Sequence, residues 1–195
     1  MSGYKQLFDF EQALSKFTGA PYVVATDCCT HAIELCMRYT QVGYCEVPAQ
    51  TYLSVPQMLK RLGISYSFNN QSWTGEYQFE NTNIWDSARR LQPMMYRAGM
   101  MQCLSFGPTK PMHLGRGGAI LLDNEQAYRV ISQWRSDGRD LSIAPWQDQM
   151  IFGPGYHYTP SLELCEQGLA KLEKFEGAVT LHTYPDLTKI TIESH

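Results

Sequence analysis

Apolar residues recur at helical spacing in several segments of the chain. In residues 8–18, Phe10, Leu14 and Phe17 fall on one face of a helix, and Gly19 can end that helix. The same spacing predicts further helices over four ranges: 30–39, 56–62, 125–136 and 161–175. Each predicted helix therefore has one face that can pack against an apolar core.

Short apolar runs lie between these helices and predict β-strands. They cover six ranges: 22–25, 43–47, 64–68, 83–85, 102–106 and 118–122. The polar and aromatic stretch 71–83 has no clear period and is expected to be a loop, whereas the alternating run LTKITI near the C-terminus predicts an edge strand. Strands that alternate with helices predict a three-layer α/β/α fold with a mostly parallel sheet.

Composition and charge narrow the class of protein. With 195 residues, 44% hydrophobic and 18% charged, the chain has the composition of a globular protein, which excludes a mainly disordered or fibrous chain. A net charge of -3 provides no general basic field, so nucleic acid is not an expected partner, although it is not excluded as a substrate. Because no run approaches the ~20 apolar residues of a membrane span and no signal peptide is evident, we expect a cytoplasmic protein without membrane contact.

The cysteine pattern favours buried thiols over a metal site. None of the cysteines forms a CxxC pair; they stand at six positions: Cys28, Cys29, Cys36, Cys45, Cys103 and Cys165. We expect them to be reduced and mostly buried, and we expect no metal. A thiol enzyme that uses Cys28 or Cys29 with His31 as its base is a further alternative.

Lys110 lies in a glycine-rich segment between two apolar runs, CLSFGPTKPMHLGRGGAILL. Glycines let a backbone approach a ligand closely, and loops that leave strands often carry binding sites. A lysine amine held there can form a Schiff base with an aldehyde cofactor. A solvated loop lysine without a chemical role is the alternative.

Asp86 follows directly on the apolar run that ends at Trp85. A carboxylate at a strand end either caps the following turn or holds a cationic group. Pyridoxal 5'-phosphate (PLP) needs a carboxylate that holds a cationic group, because the carboxylate keeps the pyridine nitrogen protonated and makes the ring an electron sink. Asp86 is therefore a candidate partner for that nitrogen.

The segment YVVATDCCTHAIEL predicts a strand, a turn and a helix in succession. Cys28, Cys29 and Thr30 fall at the start of the helix, where free N–H groups and the helix dipole favour a phosphate. A simple N-cap by Asp27 or Thr30 is the alternative.

The phosphate turn, the aspartate and the lysine occur in the chain order of fold-type I PLP-dependent enzymes. From about Phe8 to Phe175 the chain resembles the DegT/DnrJ/EryC1/StrS aminotransferases. Its most specific motifs are LSFGPTKPMHLGRGGAILL and WDSARRL. The other similar segments keep the family's order: FEQALSKFTGAPYVVATDCCTHAIEL, PAQTYLSVPQMLKRLGISYSF and GYHYTPSLELCEQGLAKLEKFE.

The resemblance implies PLP as the cofactor and assigns the contacts around its ring. Lys110 would form the Schiff base with PLP and move the α-proton of the substrate. Asp86 would pair with the pyridine nitrogen, and Tyr52 would stack on the ring. Arg89 stands where the family usually has glutamine, near the phenolic oxygen of the cofactor.

The resemblance also implies how the phosphate is held. Ser105 would bind it together with the turn formed by Cys28, Cys29 and Thr30. His157 stands where the family has the asparagine that reaches a phosphate across the dimer interface. The chain is therefore expected to form a homodimer.

The chain departs from the family in ways that bear on the substrate. Cys29 replaces a glycine of the phosphate turn, and its side chain is expected to crowd the cofactor. The stretch between Phe68 and Asn83 is much shorter than in the family, and almost nothing of the small C-terminal domain follows Phe175. We therefore expect a minimal PLP-binding large domain over 1–176 and a short tail over 177–195.

The resemblance makes transamination of a small amine or amino acid the first functional hypothesis, with a reduced substrate pocket. A PLP-dependent decarboxylase or another α-carbon lyase is the alternative, and it includes action on a large substrate such as a modified nucleobase. A non-catalytic scaffold with the PLP-enzyme fold is a third hypothesis.

Overall fold

The computed structural model describes residues 3–143, 145–151 and 153–190. The α-helices in these ranges are α1 Lys5–Thr18, α2 Cys29–Tyr39, α3 Ser54–Arg61, α4 Glu125–Arg135 and α5 Leu162–Leu172. The strands are β1 Tyr22–Thr26, β2 Tyr44–Pro48, β3 Ser65–Asn69, β4 Tyr77–Gln78, β5 Ile84–Asp86, β6 Arg90–Leu91, β7 Met101–Ser105, β8 Gly118–Leu122 and β9 Ala178–Val179.

Local chemistry accounts for the ends of several helices. Gly19 ends α1 in the left-handed conformation, with φ of 77°, and its N–H donates to the carbonyl of Ser15. Asn124 caps α4 by accepting from the N–H of Ala127. Ser161 caps α5 in the same way. The predicted helices therefore form close to their predicted positions.

The central sheet has five strands in the order β1-β8-β7-β5-β4. β1, β7 and β5 run in one direction, because β8 is antiparallel to both β1 and β7, and β5 is parallel to β7. The prediction of a mostly parallel sheet is thus corrected to a mixed sheet. The physical reason is that the chain turns straight back from Ser105 to its paired residue Gly118, which places β8 beside β7 in the opposite direction.

Two apolar cores lie on opposite faces of this sheet and confirm the three-layer α/β arrangement. Val24 and Ile120 belong to a core shared with α2, α3 and α4. Their neighbours Val23 and Leu121 belong to a second core shared with α1 and α5. Successive strand residues point to opposite faces, so each strand residue joins one core or the other.

The C-terminal tail packs on the domain in a different way from the predicted edge strand. Residues Leu187–Lys189 form a 3-10 turn, and Thr191 and Ile192 lie outside the described residues. The strand of the tail is β9, which pairs antiparallel with β6. A two-residue β-strand, β4, also interrupts the loop predicted over 71–83.

The cysteines and helices bear on two other predictions. All six cysteines lie in the described ranges and are free; Cys28 and Cys29 are half-buried and the other four are buried. Within the same ranges, none of the helices combines the length and apolar character that crossing a membrane requires.

Candidate active site

One cavity of about 420 Å³ contains most of the predicted site. Eight of the predicted residues line it: Cys28, Cys29, Thr30, Tyr52, Asp86, Arg89, Ser105 and Lys110. The direction of the strands explains their meeting, because β1, β5 and β7 end at the same edge of the sheet. The turn before α2 follows β1, and Asp86 and Ser105 are the last residues of β5 and β7.

Lys110 enters the cavity from the loop 106–117 between β7 and β8. The loop is closed by a hydrogen bond from the N–H of Leu114 to the carbonyl of Phe106, 2.8 Å long. Gly118 lets β8 approach the start of α2, because a Cβ there would lie 2.5 Å from the backbone nitrogen of Cys29. The lysine and the helix N-terminus thus reach the same cavity.

Asp86 is a buried carboxylate at the floor of the cavity. Its Oδ1 accepts from the N–H of Ala88 at 2.9 Å, and its Oδ2 accepts from the Tyr77 hydroxyl at 3.0 Å. Burial raises the pKa of Asp86, although the charge of Lys110 and the bonds from Ala88 and Tyr77 oppose that rise. A cationic group placed in the cavity would stabilise this carboxylate in its charged form.

The start of α2 offers donors to the cavity. Cys28, the residue before the helix, is extended, and its side chain makes no capping hydrogen bond. The first N–H groups of the helix therefore keep the capacity to bind an anion. The Thr30 hydroxyl shares a 2.7 Å hydrogen bond with the Ser54 hydroxyl, and Ser105 also lines the cavity.

The thiol of Cys29 is held against the sheet. Its Sγ donates to the carbonyl of Cys103 at 3.6 Å. Burial raises the pKa of Cys29 well above its usual value, so the thiol is neutral. This contact gives the side chain a place beside β7, although the residue still contributes to the wall of the cavity.

Asp27 binds two cationic side chains at the edge of the cavity instead of capping α2. Its Oδ1 lies 2.6 Å from Nδ1 of His31, and its Oδ2 accepts from Arg116 at 3.0 Å. Burial acts to lower the pKa of His31, but hydrogen bonds with Asp27 and Cys28 outweigh it and raise the pKa to about 9.

The same cluster brings together ligand types that a metal ion accepts. Donor atoms of Asp27, Cys28 and His31 lie within 4.8 Å of one another. Both carboxylate oxygens of Asp27 are already hydrogen-bonded, however, and the positive guanidinium of Arg116 would repel a metal cation placed beside it. The cluster is better described as an ion-paired support for the turn before α2.

Two predicted residues are placed at the margin of the site or beyond it. The Tyr52 ring borders the cavity and is 57% exposed. The side chain of His157 is 90% exposed, and its Nδ1 lies 3.2 Å from the carboxylate of Asp137. The assigned roles of both residues remain predictions.

The tail contributes a residue to the site that was not predicted from the sequence. The Tyr184 ring lines the cavity, and its hydroxyl accepts from Nζ of Lys110 at 3.1 Å. Arg89 holds the tail, since its Nη1 donates to the carbonyl of Leu181 at 2.6 Å. The run of His182 and Tyr184 in a polar tail was the available signal, but no spacing rule connects it to Lys110.

Solved structures share this fold. A putative PLP-dependent aminotransferase from Bacillus cereus ATCC 10987 aligns with a TM-score of 0.72 at 18% identity, over 88% of this chain and 59% of that chain. The PMP form of the putative sugar aminotransferase Spr1654 from Streptococcus pneumoniae gives 0.71 at 17%, over 87% and 59%. Sugar aminotransferase CalS13 from Micromonospora echinospora gives 0.73 at 14%, over 88% and 61%. The likeness is one of fold, and the chain spans about three fifths of these proteins' length.

The sequence of the chain matches a family model. The model of the DegT/DnrJ/EryC1/StrS aminotransferase family covers residues 1–70 and 93–183. The stretch between these ranges carries Asp86 and Arg89, so their assignment depends on their place in the cavity. No curated protein matches the chain significantly. A match over this much of its length shows that the chain belongs to the DegT/DnrJ/EryC1/StrS aminotransferase family.

Proposed function

We propose that this chain is a PLP-dependent aminotransferase that takes the amino group of a small amine or amino acid. The observation that carries the proposal is the single cavity shared by Lys110, Asp86 and the start of α2. These groups match the three parts of PLP that an enzyme has to hold: the aldehyde carbon, the pyridine nitrogen and the phosphate. The S. pneumoniae neighbour supports the cofactor, since it was solved in PLP and PMP forms.

Asp86 suits the pyridine nitrogen because it is a buried carboxylate whose pKa is raised by burial. A protonated nitrogen beside it would offset the cost of burying its charge. When bound, PLP withdraws electrons from the α-carbon of the substrate, and this is the chemistry that the cofactor supplies. Asp86 contributes by keeping the positive charge of the ring in place.

The uncapped start of α2 suits the phosphate. The first residues of α2 line the cavity, and the side chain of Cys28 makes no capping hydrogen bond to their N–H groups. The hydroxyl of Thr30, in the first turn of α2, and that of Ser105, at the end of β7, add further donors. Several N–H and O–H donors directed at one position provide the hydrogen bonds that a dianionic phosphate needs.

Lys110 is the residue that suits proton transfer at the substrate. The cationic side chains that line the cavity are Arg89, Lys110 and Arg116. A guanidinium stays protonated in proteins, so the two arginines cannot accept a proton. An amine can both accept and return one, and Lys110 is therefore assigned as the group that moves the α-proton.

The first test is covalent trapping of the cofactor. Purified protein incubated with PLP should absorb visible light, and borohydride should fix the cofactor to the peptide that contains Lys110. Lys110→Ala should abolish the label and lower turnover by at least the ~10²–10⁴-fold of a lost acid–base group. Lys174→Ala, at an exposed position in the turn after α5, is the matched control.

Mass spectrometry of the reduced protein shows which lysine carries the cofactor. A label on another lysine, or no label, would favour the non-catalytic scaffold.

An assay with amino donors then separates the reaction types. Transfer of the amino group to an oxo acid or to a nucleotide-linked keto-sugar is expected; the sugar is included because the neighbour DesI was solved with its TDP-sugar product. Release of CO₂ from the donor without such transfer would identify a decarboxylase.

A further inference from the structure

Residues 177–190 form a strap that brings Tyr184 to the wall of the cavity. At its beginning, β9 pairs with β6, and the N–H of Thr180 donates to the carbonyl of Arg89 at 2.8 Å. At its far end, the buried Leu187 donates its N–H to the carbonyl of Ala49 at 2.9 Å. Because backbone hydrogen bonds hold both ends, the segment that carries Tyr184 is fixed beside the cavity.

Stacked rings fix the middle of the strap. His182 lies parallel to Trp73, with ring centroids 4.1 Å apart and an interplanar angle of 19°. Tyr184 continues the stack at 5.3 Å from His182. The Trp73 indole is itself held, since its Nε1 donates to the carbonyl of Gln50 at 2.9 Å. The stack of His182 between Trp73 and Tyr184 thus helps to set the position of the Tyr184 ring.

The Tyr184 hydroxyl is placed on the amine of Lys110. It accepts from Nζ at 3.1 Å and from Nε of Arg89 at 3.2 Å. The two donors occupy the two lone pairs of the phenolic oxygen. Its own O–H is therefore left to donate to a further acceptor beside the amine.

We propose that Tyr184 is a catalytic residue of the aminotransferase proposed above: its hydroxyl positions the free amine of Lys110 and offers a donor to an oxygen of the substrate. A lysine side chain has several freely rotating bonds, so an unheld amine would spend much of its time in unproductive positions. A carboxylate or carbonyl oxygen next to the reacting carbon is the acceptor that fits the remaining O–H. This inference rests on the proposed function, and the strap supplies a site residue from the tail of the same chain.

The test replaces only the hydroxyl. Tyr184→Phe keeps the ring and its stack on His182, so we expect an unchanged melting temperature. We expect the apoprotein to attach PLP to Lys110 on the order of 10–100-fold more slowly, because a misplaced reactive group costs about this much. The trapped fraction of Lys110 is followed by borohydride quenching and mass spectrometry, and kcat and KM are measured separately. We expect the loss of turnover to appear as a lower kcat. Tyr66→Phe, which removes a hydroxyl on β3 away from the cavity, is the control.

The outcomes separate this inference from the proposed function. Wild-type attachment rate and kcat in Tyr184→Phe would overturn it and leave the aminotransferase proposal standing. Failure of the wild-type protein to attach PLP at Lys110 would overturn both. If the Phe variant does not fold, His182→Gln removes the stacked ring that places Tyr184. Slower attachment in that variant would support the inference, and an unchanged rate would overturn it.

Discussion

At the scale of single residues, Asp86 is the group whose change separates cofactor chemistry from folding. Asparagine keeps the size of the side chain and an oxygen for the Ala88 N–H, so Asp86→Asn should retain the fold. A neutral amide cannot balance a protonated pyridine nitrogen. We expect kcat to fall at least about 100-fold, the scale of a lost electrostatic contact in an active site, with little change in melting temperature.

The matched control for this change is Asp9→Asn on α1, which removes a surface carboxylate. Steady-state kinetics and thermal melts of both variants give the comparison. Undiminished turnover in Asp86→Asn would mean that the carboxylate only caps the turn at Ala88.

His31 makes the stability of the fold depend on pH. Its pKa is raised from 6.5 to about 9, so the folded state keeps this proton at pH values at which the unfolded chain has already lost it. The stabilisation is fully present below pH 6.5 and is lost as the pH rises through about 9. We expect the wild-type melting temperature to fall across this range by more than that of His31→Gln. His113→Gln, at an exposed position, should keep the wild-type slope, and parallel curves for the wild type and His31→Gln would contradict the prediction.

How far the sequence predicts the site depends on whether a residue lies in a local pattern. Asp86 and Lys110 could be found because each stands beside an apolar strand with a recognisable neighbourhood. Tyr184 could not, since its place beside Lys110 arises from the pairing of β9 with β6 and from the stack of His182 on Trp73. Such contacts between distant segments leave no period in the sequence.

At the scale of elements, the contact between β8 and α2 decides whether the lysine loop and the phosphate turn can share a cavity. A Cβ on Gly118 would meet the backbone carbonyl carbon of Cys28 at 2.6 Å, and backbone cannot move aside cheaply. We expect Gly118→Ala to lower the free energy of unfolding by about 1–3 kcal/mol and to weaken PLP binding.

Denaturant titration measures the first effect, and the PLP concentration that gives half-maximal absorbance measures the second. Gly43→Ala is the matched control, because a Cβ there would meet no atom within 4 Å. Equal stability of the two variants would show that the strand and the helix have room to separate.

The elements themselves differ in how well local pattern predicts them. The apolar spacing of α2 and α4 is strong, and their observed bounds lie within a residue of the predicted ones. The direction of β8 could not be predicted in this way, because alternation along a strand is the same in either direction. The direction follows from the pairing of Ser105 with Gly118 across the lysine loop.

At the scale of the whole molecule, the cavity is open beside exposed apolar side chains. Tyr52, Leu53 and Leu181 are 57%, 44% and 77% exposed at or near its rim. Apolar side chains grouped next to a site commonly mark a surface that another protein covers. We propose that a second copy of the chain covers it and that His157 of each subunit serves the phosphate site of the other.

Mixing two inactive variants tests this assembly directly. Lys110→Ala lacks the amine and His157→Ala lacks the exposed imidazole, so each homodimer should have impaired sites. After denaturation and refolding together, the mixed dimer should contain one site with Lys110 from one subunit and His157 from the other. We expect recovery of up to about a quarter of wild-type turnover, since half of the dimers are mixed and each has one intact site of two. Sedimentation at micromolar concentration should show a dimer. A monomer with bound cofactor, or a mixture no more active than its parts, would show that His157 does not act across an interface.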